Sequence, residues 1–137
     1  MSDFLKTKKI LIISLILLIA LALLPANISA RSLEMKSDEI DVTLMPNGDM
    51  NIIERVTVAF DGHWNGLQRT IYAEERNTVT NVSVSENGKP YTYNSGTEYG
   101  PAGTFLIKSE ENGVLVDWSI DVTNVTRTYE ISYTITD

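Results

Sequence analysis

The stretch Met50-Asn51-Ile52-Ile53-Glu54-Arg55-Val56-Thr57-Val58-Ala59-Phe60 decides the fold class of this chain. Successive side chains of a β-strand point to opposite faces. One face of this strand is apolar except for Glu54, and its other members are Met50, Ile52, Val56, Val58 and Phe60. Burying a lone carboxylate costs free energy. The pattern therefore predicts a core strand in which Glu54 has a partner.

The same alternation continues through the rest of the chain beyond residue 31, and turn signals recur about every ten residues. No helical period interrupts it. Short alternating strands separated by regular turns are typical of β-sandwiches and barrels. We therefore predict an all-β, antiparallel β-sandwich of immunoglobulin-like architecture. Its eight predicted strands are 39–44, 50–60, 67–72, 79–84, 90–93, 104–108, 114–120 and 129–135.

Turn-forming residues predict how these strands are connected. Asn47-Gly48 and Asn87-Gly88 each lie between two predicted strands, as expected for hairpin turns in which the backbone takes positive φ. Residues 61–66 are polar and glycine-bracketed, which predicts a loop. Residues 94–103 contain three glycines and a proline, which predicts a long surface loop.

The first thirty residues form a segment distinct from the strands. Lys6, Lys8 and Lys9 precede an apolar run from Ile10 to Leu24, and small residues lead to Ala30. This order is typical of a secretory signal cleaved after Ala30. The same run approaches the roughly 20 residues that a membrane helix needs, so a retained anchor stays open. We predict a signal peptide or transmembrane helix at 1–30 and an extracytoplasmic domain at 31–137, because basic residues favour the cytoplasmic side.

Charge and cysteine content exclude several function classes. The chain has a net charge of −7, and without residues 1–30, which hold three lysines and one aspartate, the net charge is −9. Nucleic acids and anionic lipid headgroups attract basic surfaces, so neither is an expected partner. There are no cysteines. Thiolate metal sites and cysteine catalysis are therefore excluded, and the sequence predicts no cofactor.

Several segments together resemble the extracytoplasmic N-terminal domain of the YciQ-like predicted membrane proteins, a domain of unknown function (2207). The segments are the strand around Glu54, Gly-Leu-Gln-Arg-Thr-Ile-Tyr at 66–72, Val-Asp-Trp at 116–118 and Thr-Tyr-Glu-Ile-Ser-Tyr-Thr-Ile at 128–135. The resemblance covers residues 33–137. It implies a membrane-attached surface domain and no activity. Family members continue into further transmembrane helices, whereas this sequence ends at Asp137, so we expect attachment through the N-terminal helix alone.

Glu54 and Arg69 form the first candidate site. Each interrupts an otherwise apolar strand face, and we expect the two strands to be neighbours in a ladder, because a short segment joins them. A guanidinium can satisfy a carboxylate through two hydrogen bonds. We interpret the two residues as a structural ion pair that fixes strand register, and a ligand or interface pair is the alternative.

Four aromatic residues are candidate contacts for a ligand or partner: Trp64, Tyr91, Tyr93 and Tyr99. An exposed aromatic ring on a β scaffold can stack on a sugar or anchor a protein partner. Trp64 can alternatively cap the core. No metal site is predicted, because His63 is the only histidine and no Asp-x-Asp-x-Asp calcium loop occurs.

Three functional hypotheses follow from these features. The leading one is a non-catalytic surface or interaction module that contacts another envelope protein, and it predicts an exposed apolar patch near Trp64 or along a free strand edge. A carbohydrate or cell-wall binding module requires Trp64 and the three tyrosines on one exposed face. An envelope hydrolase requires two carboxylates about 5 to 9.5 Å apart in one cleft.

Overall fold

The structure, a computed structural model, describes residues 31–74 and 77–136, and every regular element in these ranges is a β-strand. The strands are β1 (Ser32–Leu44), β2 (Met50–Asp61), β3 (His63–Tyr72), β4 (Thr78–Glu86), β5 (Lys89–Pro90), β6 (Thr92–Tyr93), β7 (Thr104–Glu110), β8 (Gly113–Thr123) and β9 (Thr126–Thr136). The all-β prediction is confirmed. The predicted N-terminal helix lies outside the described residues.

The strands form two sheets. The five-stranded sheet has the order β1-β2-β9-β4-β5, and the four-stranded sheet has the order β3-β8-β7-β6. Neighbouring strands are antiparallel except β6 and β7, which are parallel. The predicted antiparallel arrangement therefore has one exception, at this edge. Parallel neighbours need a crossover connection, and residues 94–103 carry the chain back from the end of β6 to the start of β7.

Buried side chains from both sheets meet in one core. On β2 the predicted alternation is observed, because every second residue from Ile52 to Phe60 is buried. Val84 on β4, Val116 on β8, and Tyr129 and Ile131 on β9 are the largest fully buried side chains. The core therefore lies between the two sheets. It is centred on β9 of the five-stranded sheet and β8 of the four-stranded sheet.

The connection between β2 and β3 is much shorter than the sequence predicts. Only Gly62 separates the two strands, and its φ of 81° lets the chain turn sharply. Asn124 Oδ1 accepts a hydrogen bond from the Gly62 amide at 2.7 Å and holds the turn. The predicted loop at 61–66 is therefore wrong, and Trp64 lies on a strand. Because β2 and β3 belong to different sheets, residues at equal distances from the turn face each other through the core.

The Asn-Gly prediction at residues 87–88 is confirmed, and the predicted return strand is not. Asn87 and Gly88 have φ values of 51° and 76°, as a type I′ turn requires. The return strand β5 ends at Pro90, and the chain then crosses to the other sheet, where Thr92 begins β6. Proline lacks the N–H that a longer ladder needs, which accounts for the early end of β5.

β1 extends beyond the four-stranded sheet. All thirteen of its residues are exposed, including those that share a face with the buried residues of β2. β3 contacts β2 through Arg69 and Glu54, and it reaches β1 where Arg69 Nη2 lies 3.7 Å from Asp38 Oδ2. One side of the sandwich, between the edge strands β1 and β3, is therefore open.

Candidate functional site

The open side of the sandwich contains a cleft of about 790 Å³, which we call the β1–β3 cleft. Its size is within the range of roughly 300 to 1,000 Å³ that ligand sites occupy. The apolar part of its lining comes from four strands, and its main members are Leu33, Met35, Val58, Trp64, Leu67 and Ile120. Leu33 and Met35 are exposed because they project from the overhanging part of β1.

Polar groups lie at the rim of the cleft where it extends over the outer face of β8. Asp117, Ser119 and Asp121 alternate with core residues on this strand and point away from the core. Asp117 is 5% exposed, because the loop at 94–103 covers it. Burial raises the pKa of Asp117, and a hydrogen bond from the Tyr99 hydroxyl partly offsets this effect.

Glu54 contacts Arg69, which lines the cleft, and both of its carboxylate oxygens accept hydrogen bonds. Arg69 Nε donates to Oε2 at 3.0 Å, and the Tyr133 hydroxyl donates to Oε1 at 2.6 Å. Glu54 is 4% exposed. The second guanidinium arm, Arg69 Nη2, lies 3.7 Å from Asp38 Oδ2 on β1. We call these four residues the Glu54 cluster.

The structure brings Glu54 and Arg69 together between the sheets, which differs from the ladder pairing that the sequence analysis expected. β2 pairs with β1 and β9, whereas β3 pairs with β8. Glu54 lies eight residues before Gly62 and Arg69 lies seven residues after it, so the sharp turn brings the two side chains near each other across the sandwich. The contact therefore connects β2, an inner strand of the five-stranded sheet, to β3, an edge strand of the four-stranded sheet.

Sequence reasoning missed two members of the Glu54 cluster. Asp38 has the same parity as Ile40 on β1, and its register partner Val56 is buried, so Asp38 points towards the core side. Tyr133 was expected only as a core residue. Asp38 and Tyr133 each place a polar group on an otherwise apolar strand face, as Glu54 does. This pattern was the sequence signal that could have identified them.

A second polar cluster at the β4–β9 ladder was also missed. Arg127 Nη1 lies 3.2 Å from Glu86 Oε1, and the Tyr91 hydroxyl donates to Glu86 Oε2 at 3.1 Å. Tyr91 packs edge-on against Tyr129, with ring centroids 6.5 Å apart. Glu86 lies beyond the predicted strand 79–84 and beside the Asn87-Gly88 turn, although it has the same parity as the buried Val84.

The four candidate aromatic residues do not share one surface. Tyr91 packs against the core, and Tyr93 lies on β6 at the edge of the sheet opposite to β3. Tyr99 is 67% exposed and lies over the outer face of β8. Trp64 lies on β3, so it is three strands away from Tyr93. A common sugar-stacking platform built from all four is therefore not formed.

Trp64 caps one end of the core and lines the cleft at the same time. Its ring packs against Phe60 at a centroid distance of 6.1 Å, and its Nε1 donates to the carbonyl oxygen of Asp61 at 3.1 Å. The Arg31 guanidinium lies 4.7 Å from the ring centroid, within the range of a cation–π contact. These contacts fix the orientation of the ring.

Metal sites and glycosidase sites both require side chains that converge at defined spacings. In the ranges 31–74 and 77–136, no group of three or more His, Asp or Glu side chains is placed to hold a metal ion. His63 Nε2 is 2.9 Å from Asp121 Oδ1 in an exposed pair. Asp117 and Asp121 are four residues apart on β8, which places them about 13 Å apart, beyond the spacing of glycosidase carboxylates.

Replacement of Glu54 tests the contribution of the Glu54 cluster to stability. In Glu54→Ala, the buried Tyr133 hydroxyl loses its acceptor and a cavity forms, so we expect a loss of about 2 to 4 kcal/mol in the free energy of unfolding. Arg69 is partly exposed and can regain water, which keeps the loss below that of a fully buried unpaired charge. Urea denaturation measures the difference.

Arg55→Ala is the matched control for that experiment. Arg55 neighbours Glu54 on β2 but points outward, where it bridges Asp41 at 2.6 Å and Glu130 at 3.1 Å. Exposed ion pairs contribute little, so this variant should unfold close to the wild-type midpoint. Equal midpoints for Glu54→Ala and wild type would contradict a stabilising role of the cluster.

The buried tyrosines predict a loss of stability at alkaline pH. Burial raises the pKa of Tyr91, Tyr129 and Tyr133, and the Glu54 carboxylate raises that of Tyr133 further. Unfolded tyrosine has a pKa of about 10. The folded state therefore retains these protons longer, so the free energy of unfolding should be steady below about pH 10 and should fall above it.

The measurement combines thermal melts between pH 8 and pH 11.5 with tyrosinate absorbance. Part of the absorbance change should appear only together with unfolding. Tyr133→Phe removes one of the three raised groups and should reduce the slope of stability against pH above about pH 10. A melting temperature that does not change up to pH 11.5 would contradict the prediction.

Comparison with known proteins gives one match. No curated protein and no solved structure matches the chain significantly. No helix in the described part of the chain is long and apolar enough to span a membrane. A family model described as the predicted membrane protein (DUF2207) N-terminal domain matches residues 34–137. This match agrees with the resemblance identified from the sequence, and the chain belongs to the DUF2207 N-terminal domain family of predicted membrane proteins.

Proposed function

We propose that this chain is a non-catalytic, extracytoplasmic interaction domain that is held at the membrane and binds an extended segment of another envelope protein in the β1–β3 cleft. The observation that carries the proposal is the open, largely apolar cleft beside Trp64. Monomeric soluble proteins rarely leave large apolar surfaces uncovered, and such surfaces mark interaction sites. We also assign the two-sheet fold to the immunoglobulin-like class of sandwiches.

The shape of the cleft favours an extended peptide segment. β1 and β3 are the edge strands of their sheets, so both present unpaired backbone groups beside the cleft. An extended segment can add to such an edge through backbone hydrogen bonds and place alternate side chains in a neighbouring pocket. Leu67 and Trp118 at the floor of the cleft would contact an apolar side chain of this segment.

The charge of the domain favours a segment that also carries basic residues. Asp117 and Asp121 line the cleft, and the whole chain has a net charge of −7. Complementary charge speeds association and selects between partners. The expected ligand is therefore a segment in which one or two apolar residues are flanked by lysine or arginine.

The use of the polar groups supports a binding role rather than catalysis. Glu54 is held by Arg69 and Tyr133, and His63 is paired with Asp121 in an exposed contact. A general acid or base must reach a substrate. The Glu54 carboxylate, which is 4% exposed, is already bound by two donors, which suits a structural role.

The position relative to the membrane follows from the segment before β1. Residues 1–30 carry the basic leader and the apolar run, and β1 begins at Ser32. The positive-inside tendency places Lys6, Lys8 and Lys9 in the cytoplasm. The domain would then lie outside the membrane, attached by a helix or released after cleavage at Ala30.

Cysteine labelling tests this location, because the chain has no native cysteine. Ser95→Cys places a thiol in an exposed loop. A membrane-impermeant maleimide should label this variant in intact spheroplasts. Labelling of Ser95→Cys only after membrane rupture would contradict an extracytoplasmic domain.

Ser2→Cys serves as the companion variant. With a retained anchor, the thiol at position 2 should be labelled only after rupture, because it lies on the cytoplasmic side. With cleavage after Ala30, the mature product should lack the labelled position altogether. The two results separate a membrane anchor from a signal peptide.

Site-specific photocrosslinking tests the cleft as the binding site. A benzoylphenylalanine at Met35, which is 54% exposed and lines the cleft, should form a discrete adduct with an envelope protein in cells. Benzoylphenylalanine at position 72 is the control. Tyr72 is 74% exposed and points away from the core side of β3, so this variant should not form the adduct.

A second substitution shows whether the adduct depends on the cleft. Leu33→Arg adds positive charge to the lining at an exposed position, so folding should be preserved. It should remove the Met35 adduct by blocking the pocket and repelling a basic segment. Equal adducts at Met35 and Tyr72, or an adduct that persists in Leu33→Arg, would contradict binding in the cleft.

A further inference from the structure

The second half of β1 carries an apolar surface that is separate from the cleft. We call it the β1 patch. Its members, with their exposed fractions, are Ile40 (53%), Val42 (57%), Leu44 (71%) and Met45 (38%). Asp38, in contact with Arg69, lies between this patch and the cleft. The patch is therefore an independent surface, and its role does not depend on the function proposed for the cleft.

The protection that edge strands normally carry is confined to the first half of β1. Natural edges avoid unwanted pairing through bulges and inward-pointing charges. β1 has an irregularity between Met35 and Ser37, and Asp38 points inward. From Glu39 to Leu44 the register with β2 is continuous, and the inward-facing side chains are apolar. This half is open to pairing with another strand.

The charges on β1 disfavour two of the possible self-pairing registers. In an antiparallel pair of β1 strands centred on residue 41, Asp41 would face Asp41 of the second copy. Centring on residue 40 would place Glu39 opposite Asp41. Like charges that are directly opposed destabilise a ladder, so both registers are unfavourable.

Centring on Val42 avoids these conflicts. Ile40 then faces Leu44 of the second copy, and Val42 faces itself, so apolar residues meet apolar residues. Asp41 faces Thr43, and Arg55 already neutralises Asp41 through a contact of 2.6 Å. Asp38 would face Pro46 of the second copy, and proline has no N–H to donate to a ladder. The paired segment therefore ends at residue 39, before the irregular region near Asp38.

We propose that two copies of this chain associate by antiparallel pairing of residues 39–45 of β1 about a two-fold axis at Val42. The pairing joins the two five-stranded sheets edge to edge. It brings Ile40, Val42 and Leu44 of each copy together. The two-fold axis leaves the Ser32 residues of the two copies roughly 65 Å apart at 3.3 Å per residue. The chain therefore enters β1 at opposite ends of the dimer.

Disulfide trapping in membranes that contain the whole chain tests this register, because no native cysteine interferes. Opposed residues of an antiparallel pair have Cα atoms about 4.5 to 5.5 Å apart, within the range that a disulfide spans. Val42→Cys should therefore form a covalent dimer on mild oxidation. We expect at least about ten times more dimer than from Ile40→Cys, whose two thiols would lie about 13 Å apart.

Mixed variants and sedimentation complete the test. Ile40→Cys and Leu44→Cys, each unreactive alone, should form a heterodisulfide when they are co-expressed. Val42→Lys, at an exposed position that spares folding, should sediment as a monomer in detergent while the wild type sediments as a dimer. Equal trapping of Val42→Cys and Ile40→Cys, a monomeric wild type, or a disulfide-independent adduct of the patch to a different protein would overturn the proposal.

Discussion

The contact of Glu54 with Arg69 and Tyr133 determines how the two sheets meet at their open side. A carboxylate that is 4% exposed is tolerated because both of its oxygens accept hydrogen bonds. Since the donors come from β3 and β9, the contact fixes β3 opposite β2. β1 lies one strand further out and touches β3 through Asp38 and Arg69, while all thirteen of its residues remain exposed. The exposed edge therefore lies directly beside the buried Glu54 carboxylate.

That edge carries two different surfaces, and the Glu54 cluster separates them. On one side, Leu33 and Met35 overhang a cleft that reaches Trp64 and the core. On the other side, Ile40, Val42 and Leu44 form an exposed apolar row along the strand. A cleft suits side chains of an extended segment, whereas an apolar row along a free edge suits a second strand. The two proposals therefore assign different partners to different halves of one strand.

The fold class and the Glu54–Arg69 contact were accessible from sequence for a simple reason. A polar residue that interrupts an apolar face is costly, so two such residues of opposite charge predict each other. The same logic was available for Glu86 and Arg127, which have the parity of their buried neighbours. They were missed because Glu86 lies beside a strong turn signal. Tyr133 and Asp38 were missed because their roles depend on which strands become neighbours.

The sequence by itself determined most of the strands, the type I′ turn at Asn87-Gly88 and the inward face of β2, because alternation and turn propensity are local properties of the chain. Only the tertiary structure decided that β2 and β3 separate at Gly62 into different sheets, and that β6 pairs in parallel with β7. These features depend on contacts between residues that are far apart in the chain. The exposure of β1 is of the same kind: its pattern is that of a core strand, and the packing of β3 against β2 leaves it uncovered.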